Sequence, residues 1–297
     1  VAHRERRRAQ ASHRAPTRPA DAWPRGPVPI ASGTAELVTT PDDPTAVTLM
    51  VNGVPSSHLD LADPLRLDFE YMQQMAAVLD AVPAGDGPFR AVHLGAAGCA
   101  MARWVDARRP GSRQVAVDLD PILVDLVRGW FDLPRSPALR LRAGDARAQL
   151  ESLADGSADA VLRDVFAGDR TPEHVATVEF TASVHRVLRA GGVYLANCAD
   201  RPPLGLARDE VATLSEVFAH VGLVAEPGVL RGRRYGNLLL IGTDDPALLD
   251  DPGLARALRS LPVPARLLVG DELREFARRG TALRDVAPVR DLGPADD

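Results

Sequence analysis

Ala91-Val92-His93-Leu94-Gly95-Ala96-Ala97-Gly98 is a short apolar run that stops at a turn of glycine and alanine. A helical stretch from about Cys99 to Arg108 follows it. An apolar run of this length, closed by glycine, reads as a buried strand. The unit repeats downstream. Gln114–Val117 ends in Asp118-Leu119-Asp120-Pro121 and leads into a helix over Ile122–Phe131. Leu139–Ala143 ends in Gly144-Asp145-Ala146, and Ala158–Leu162 ends in Arg163-Asp164. A helix over Val178–Leu188, closed by Gly191-Gly192, precedes a fifth strand at Val193–Asn197; a helix at Val211–Phe218 and a late strand at Asn237–Gly242 complete the series. Strands alternating with helices predict an α/β, Rossmann-like fold with a mostly parallel sheet covered on both faces.

The flanks divide the chain further. Residues 1–30 are rich in Arg, Ala and Pro with few large apolar groups, which predicts a disordered tail; Arg4, Arg6, Arg7 and Arg8 in it suit a solvated segment. Residues 31–63 form a small β-unit: Glu36–Thr39, a turn at Pro41–Pro44, then Val47–Val51 and Asn52-Gly53, a type I′ hairpin signal. Residues 64–245 make the nucleotide domain, opening on a helix that starts at Asp63-Pro64 and carries Leu67, Tyr71, Met75 and Val78 on one face. Residues 246–297 are a less regular extension with one helix near Asp271–Arg279 and a frayed end.

Composition narrows the chemistry. All 35 basic residues of the Lys+Arg count are arginine. A P-loop and a Schiff-base enzyme both need a lysine, so both are excluded, and proton transfer falls to Asp, Glu, His, Tyr or Cys. A net charge of −5 argues against general nucleic-acid binding. No apolar run reaches a membrane span, and no stretch has the order of a secretory signal. Cys99 and Cys198 form neither a CxxC pair nor a zinc pattern, so no metal is expected and a cytoplasmic, reduced protein is the simplest reading.

In sheets of this kind ligands bind beyond the carboxyl ends of the strands. Gly95, Ala96 and Gly98 let backbone approach a ligand, and the following helix offers N–H groups; glycines also close tight turns without any ligand. Asp118 lies about 20 residues beyond the glycine turn, where an acid suits ribose hydroxyls. Asp120 is the better helix cap beside it. Asp145, followed by Ala146, suits the exocyclic amine of adenine or an N-cap. Asp164 suits a proton acceptor facing a transferable group, or a strand-end cap.

Together Leu49–Val54, the Tyr71 helix, Val117-Asp118-Leu119-Asp120, Gly144-Asp145-Ala146, Asp164 and the Glu179-Phe180 helix resemble the spermidine synthase family of polyamine aminopropyltransferases, over about Leu49 to Gly242. The resemblance implies decarboxylated S-adenosylmethionine, or S-adenosylmethionine itself, as co-substrate. It implies Asp118 on the ribose, Asp145 on the adenine and Asp164 as general base toward a small-molecule amine, with Tyr71 supporting it. A homodimer is expected by the same analogy.

The chain also departs from that pattern. Ser56 stands where the family has Gln, Met72 where it has His, Gly98 where it has the Asp of the glycine turn, and Ala167 where it has the second of two paired acids, with Asp169 nearby. The nucleoside-binding acids remain, while the set that binds amines is reduced. A methyltransferase using intact S-adenosylmethionine and a non-catalytic homologue are therefore carried as alternatives. His174 and Glu179 lie where they can replace missing groups or serve as surface charges; His93 and Cys198 read as core.

Overall fold

The computed structural model describes residues 23–286 apart from 41, 84 and 169. The arginine-rich start up to residue 22, Asp169 and the end beyond 286 lie outside the described residues. An N-terminal four-stranded sheet comes first, in the order β1 (Val28–Ile30), β2 (Gly33–Thr40), β3 (Asp43–Val51), β4 (Val54–Asp60), each pair antiparallel. Asn52 (φ 53°) and Gly53 (φ 77°) turn β3 into β4 with both residues left-handed, as a type I′ turn requires. This unit begins earlier than expected. Trp23 is buried edge-on against Phe131 and donates its indole N–H to Trp130 O, so the segment after residue 22 packs on the main domain.

Helix α1 (Glu70–Ala81) starts later than the sequence pattern suggests. Asp60 accepts from the N–H groups of Ala62 and Asp63, and Asp63 from that of Leu65. These side-chain bonds give residues 61–65 an alternative to helix, so helical spacing at Leu67 does not extend back to Pro64.

The main sheet is eight-stranded. In chain order its strands are β5 (Arg90–Leu94), β6 (Arg113–Asp118), β7 (Leu139–Ala143), β8 (Ala158–Arg163), β9 (Leu188–Asp200), β10 (His220–Ala225), β11 (Gly236–Thr243) and β12 (Arg266–Leu268). In space they run β12-β10-β11-β9-β8-β5-β6-β7. The strands β5 to β9 pair in parallel, while β11 lies antiparallel between β9 and β10, and β12 closes the edge against β10. The interposed helices are α2 (Ala100–Arg108), α3 (Pro121–Trp130), α4 (Ala146–Glu151), α5 (Val178–Val187) and α6 (Gly205–Ser215).

Strand alternation sends Ala91, Ala116, Ala160 and Leu195 into one core with α1, α2, α3 and the small sheet. It sends Val92, Val117, Val161 and Tyr194 into a second core with α4, α5 and α6. Each face is thus buried, as a doubly wound sheet demands. The segment beyond Pro246 is part of this body. Leu248, Leu249, Leu254 and Leu258 are buried in the first core, and the N–H of Val178 donates to Leu283 O. No described helix is long and apolar enough to cross a membrane.

Candidate active site

The chain runs outward from β5 to β6 and β7, then returns to place β8 on the other side of β5. Strand order therefore reverses between β5 and β8, which is where ligands bind in open α/β sheets. Read along this rim, the carboxyl ends present Asp164, Gly95, Asp118 and Gly144-Asp145 from neighbouring strands. Three strand spacings separate the first from the last, roughly 14 Å, a span that suits a nucleoside with its sulfur substituent.

Gly95 is required by its neighbour strand. Its φ is +80°, and a Cβ there would lie 2.0 Å from the Asp164 carbonyl oxygen. Gly98 is packed the same way: a Cβ would meet the Ser57 side chain at 2.8 Å. The turn's N–H groups are spent within the protein. Those of Gly95 and Ala96 donate to Val117 O, that of Ala97 to Asp118 Oδ2, that of Gly98 to Ser57 Oγ and that of Cys99 to Ala96 O. Ala97 (φ 38°) and Cys99 (φ 62°) hold left-handed backbone without being glycine, a strained geometry typical of ligand-facing turns.

Asp118 accepts from the N–H groups of Ala97 at 2.9 Å and Asp120 at 3.2 Å. Burial raises its pKa above the ordinary carboxylate value against the pull of those bonds. Asp120 caps α3 through the N–H groups of Ile122 and Leu123, so Asp118 is left for another task, and Leu119 beside it is 70% exposed at the rim. Asp145 does two jobs: Oδ1 caps α4 at Ala148 N–H, and Oδ2 lies 2.8 Å from His174 Nε2. Burial pushes its pKa up, but the Ala148 and His174 bonds outweigh that and hold it low. Ala146 is buried as the first residue of α4.

Asp164 is the most enclosed of the set. Tyr71, from α1, donates its hydroxyl to Oδ2 at 2.7 Å, and Asn197, from β9, donates its side-chain amide to Oδ1 at 2.9 Å. Burial raises the pKa of Asp164, while the Tyr71 and Asn197 bonds and the Arg163 charge restrain the rise. Burial and the neighbouring carboxylate drive the Tyr71 phenol well above its usual value, so it stays a hydrogen-bond donor. A small cavity between β4, α1, β5 and α2 is lined by Ser56, Ser57, Met72, Met75, Cys99 and Asp164. A buried carboxylate held by neutral donors and lining a cavity can accept a proton or hold a cation.

Asn197 was not singled out in the sequence. The only signal was an amide at the end of an apolar strand, which does not say what it faces. His174 is an exposed side chain yet sits on Asp145, and Glu179 accepts from Asp285 N–H on the helix face. His93 is buried on Gln114 and its pKa falls to about 4 through burial, as a core residue. Cys198 is likewise buried.

A methyltransferase domain family matches residues 92–196. The polyamine aminopropyltransferase of Chromobacterium violaceum is 30% identical over 141 residues, 48% of this chain and 53% of that protein. The chain spans about half the length of the curated relatives it matches. The crystal structure of a probable spermidine synthase from Corynebacterium glutamicum superposes with a TM-score of 0.84 at 37% identity, covering 92% of this chain and all of that one. Human methyltransferase-like protein 13, solved with SAH, shares the fold at a TM-score of 0.54 and 21% identity, over 76% of this chain and 98% of that one.

Proposed function

The chain belongs to the spermidine synthase-like family, and on that premise we propose that it binds decarboxylated S-adenosylmethionine and moves its aminopropyl group to a small-molecule amine. The observation that carries this reading is the buried Tyr71–Asp164 hydrogen bond, with Asp164 lining the cavity beside the glycine turn. Asp118 would hold the ribose hydroxyls, Asp145 with Ala146 the adenine, and Gly95, Ala96, Gly98 and Leu119 the surface on which the nucleoside lies. The donor supplies an activated sulfonium. The amine nitrogen bonds to the propyl carbon as the carbon–sulfur bond breaks, and methylthioadenosine leaves as a neutral thioether. Asp164 takes the amine proton, and Tyr71 fixes the carboxylate that receives it. With the sulfonium already activated, alignment and an unprotonated amine are the main requirements.

Methyl transfer from intact S-adenosylmethionine is the second reading. Gly98 favours it, because no acid in the turn would repel the donor's carboxylate. Calorimetry with both donors and methylthioadenosine, followed by transfer assays, separates the cases. Tighter binding of the decarboxylated donor supports aminopropyl transfer, and tighter binding of the intact donor supports methyl transfer. Binding of neither supports a non-catalytic homologue and overturns the site.

A further inference from the structure

Arg163 ends β8 with a fully buried side chain. Its guanidinium donates to three separate segments: Nη1 to Val175 O at 3.0 Å, and Nη2 to Asn197 O at 3.1 Å and Glu210 Oε2 at 2.6 Å. Glu210, from α6, is equally enclosed, with 2% of its side chain exposed. A buried ion pair of this kind is weak support for stability, because well-packed apolar side chains of similar volume commonly do as well or better. Its placement points to another role. Asn197 is gripped at both ends, its carbonyl by Arg163 and its side-chain amide on Asp164. Val175 ends the short 3-10 turn Glu173–Val175, whose His174 bonds Asp145 beyond the end of β7. One fork of planar donors therefore fixes the strand and the loop that flank the carboxylate, which a lysine ammonium cannot do.

We propose that Arg163 and Glu210 are positioning residues for Asp164: the pair locks Asn197 and the 173–175 turn so that the carboxylate is presented in one orientation. This rests on, and deepens, the assignment of Asp164 as the proton acceptor. The groups bonded to Asp164 are Tyr71 from α1 and Asn197 from β9; the Arg163 side chain, paired with Glu210, acts on it through Asn197 and through its charge. Removing the pair together leaves the net charge nearby unchanged but loosens Asn197, and the loss of that donor favours the protonated carboxyl.

The test compares the intact chain with the double variant Arg163→Leu/Glu210→Leu and with Arg163→Lys. Asp164 is followed by side-chain carboxyl NMR titration, and transfer by steady-state kinetics across pH. The titration midpoint of Asp164 rises by about one pH unit in the double variant. The acid limb of kcat moves with it, kcat falls about tenfold, and KM for the amine holds. Arg163→Lys, which keeps the charge but not the fork, lowers kcat without moving the midpoint as far. An Asp164 midpoint unchanged in both variants overturns the proposal, whatever the loss of stability. If the wild-type chain transfers nothing, the functional assignment fails, and the midpoint alone still decides the positioning role. If the double variant does not fold, Arg163→Lys carries the same readout.

Discussion

Tyr71 and Asp164 lie 93 residues apart in the chain and 2.7 Å apart in space, and this bond joins the first helix to the fourth parallel strand. It gives one of two neutral donors to a carboxylate that burial makes reluctant to ionise. Tyr71→Phe removes that donor, so the Asp164 pKa climbs further. The acid limb of the pH–rate profile moves to higher pH, and kcat drops by about tenfold at neutral pH. A profile superimposable on the wild type would remove Tyr71 from the site.

Asp164→Asn abolishes proton acceptance, lowering kcat by about 10²–10⁴-fold while donor affinity by calorimetry stays unchanged. The same change alters stability in the opposite sense. With a folded-state pKa raised above the unfolded one, Asp164 contributes stability below the ordinary carboxylate range, and this is lost as pH climbs through the raised value. Asparagine escapes that loss. Thermal melts at pH 7 should therefore place the variant above the wild type, with the gap closing in acid.

Asp118→Asn keeps an acceptor for Ala97 N–H but removes the charge offered to ribose hydroxyls. Charge-assisted hydrogen bonds contribute about 1.5–3 kcal/mol, so nucleoside affinity should fall roughly 10- to 100-fold, with kcat at saturation little changed. Because the Asp118 pKa is raised by burial, wild-type affinity should start to weaken in acid before an ordinary carboxylate would protonate. Calorimetry across pH checks both statements.

Glu210→Ala leaves the buried Arg163 guanidinium without its counter-charge. Breaking such a pair costs about 3–5 kcal/mol, and urea unfolding followed by circular dichroism should show it. Replacing both partners by leucine should cost far less, which separates stability from the positioning role.

Gly95→Ala forces a methyl group onto the Asp164 carbonyl at a position of positive φ. Overpacking and backbone strain together should cost at least about 2 kcal/mol, read by the same unfolding experiment. Gly53→Ala, in open space on the hairpin, should meet only the conformational part of that cost.

The parallel half of the fold was legible because each strand is a short apolar run closed by Gly or Asp, as at Leu94-Gly95 and Val117-Asp118. The antiparallel edge was not. His220–Ala225 is six residues beginning with a polar one, and Arg266–Leu268 is three and pairs with it only across the intervening 226–265 segment, so local pattern carries little of their signal. The start of α1 was misplaced because Asp60 and Asp63 bind backbone N–H groups that a helix would otherwise use. At the candidate site, the acids at strand ends stood out by type and position. Tyr71 entered through the family resemblance, but Asn197 and Arg163 did not stand out, since they reach Asp164 through contacts that only the assembled sheet creates.

The contact between Gly98 and Ser57 joins two parts with separate architectures, a nucleotide-binding sheet and a hairpin clamped over its edge. The hairpin behaves as a faceplate: it contributes Ser56 and Ser57 to the cavity that Asp164 lines, yet supplies none of the aspartates along the strand ends. Exchanging its outer residues would re-shape the chamber around the moving carbon while the grip on the nucleoside stays in place. One scaffold could in this way be retuned from one transferred group to another through a few side chains of β4.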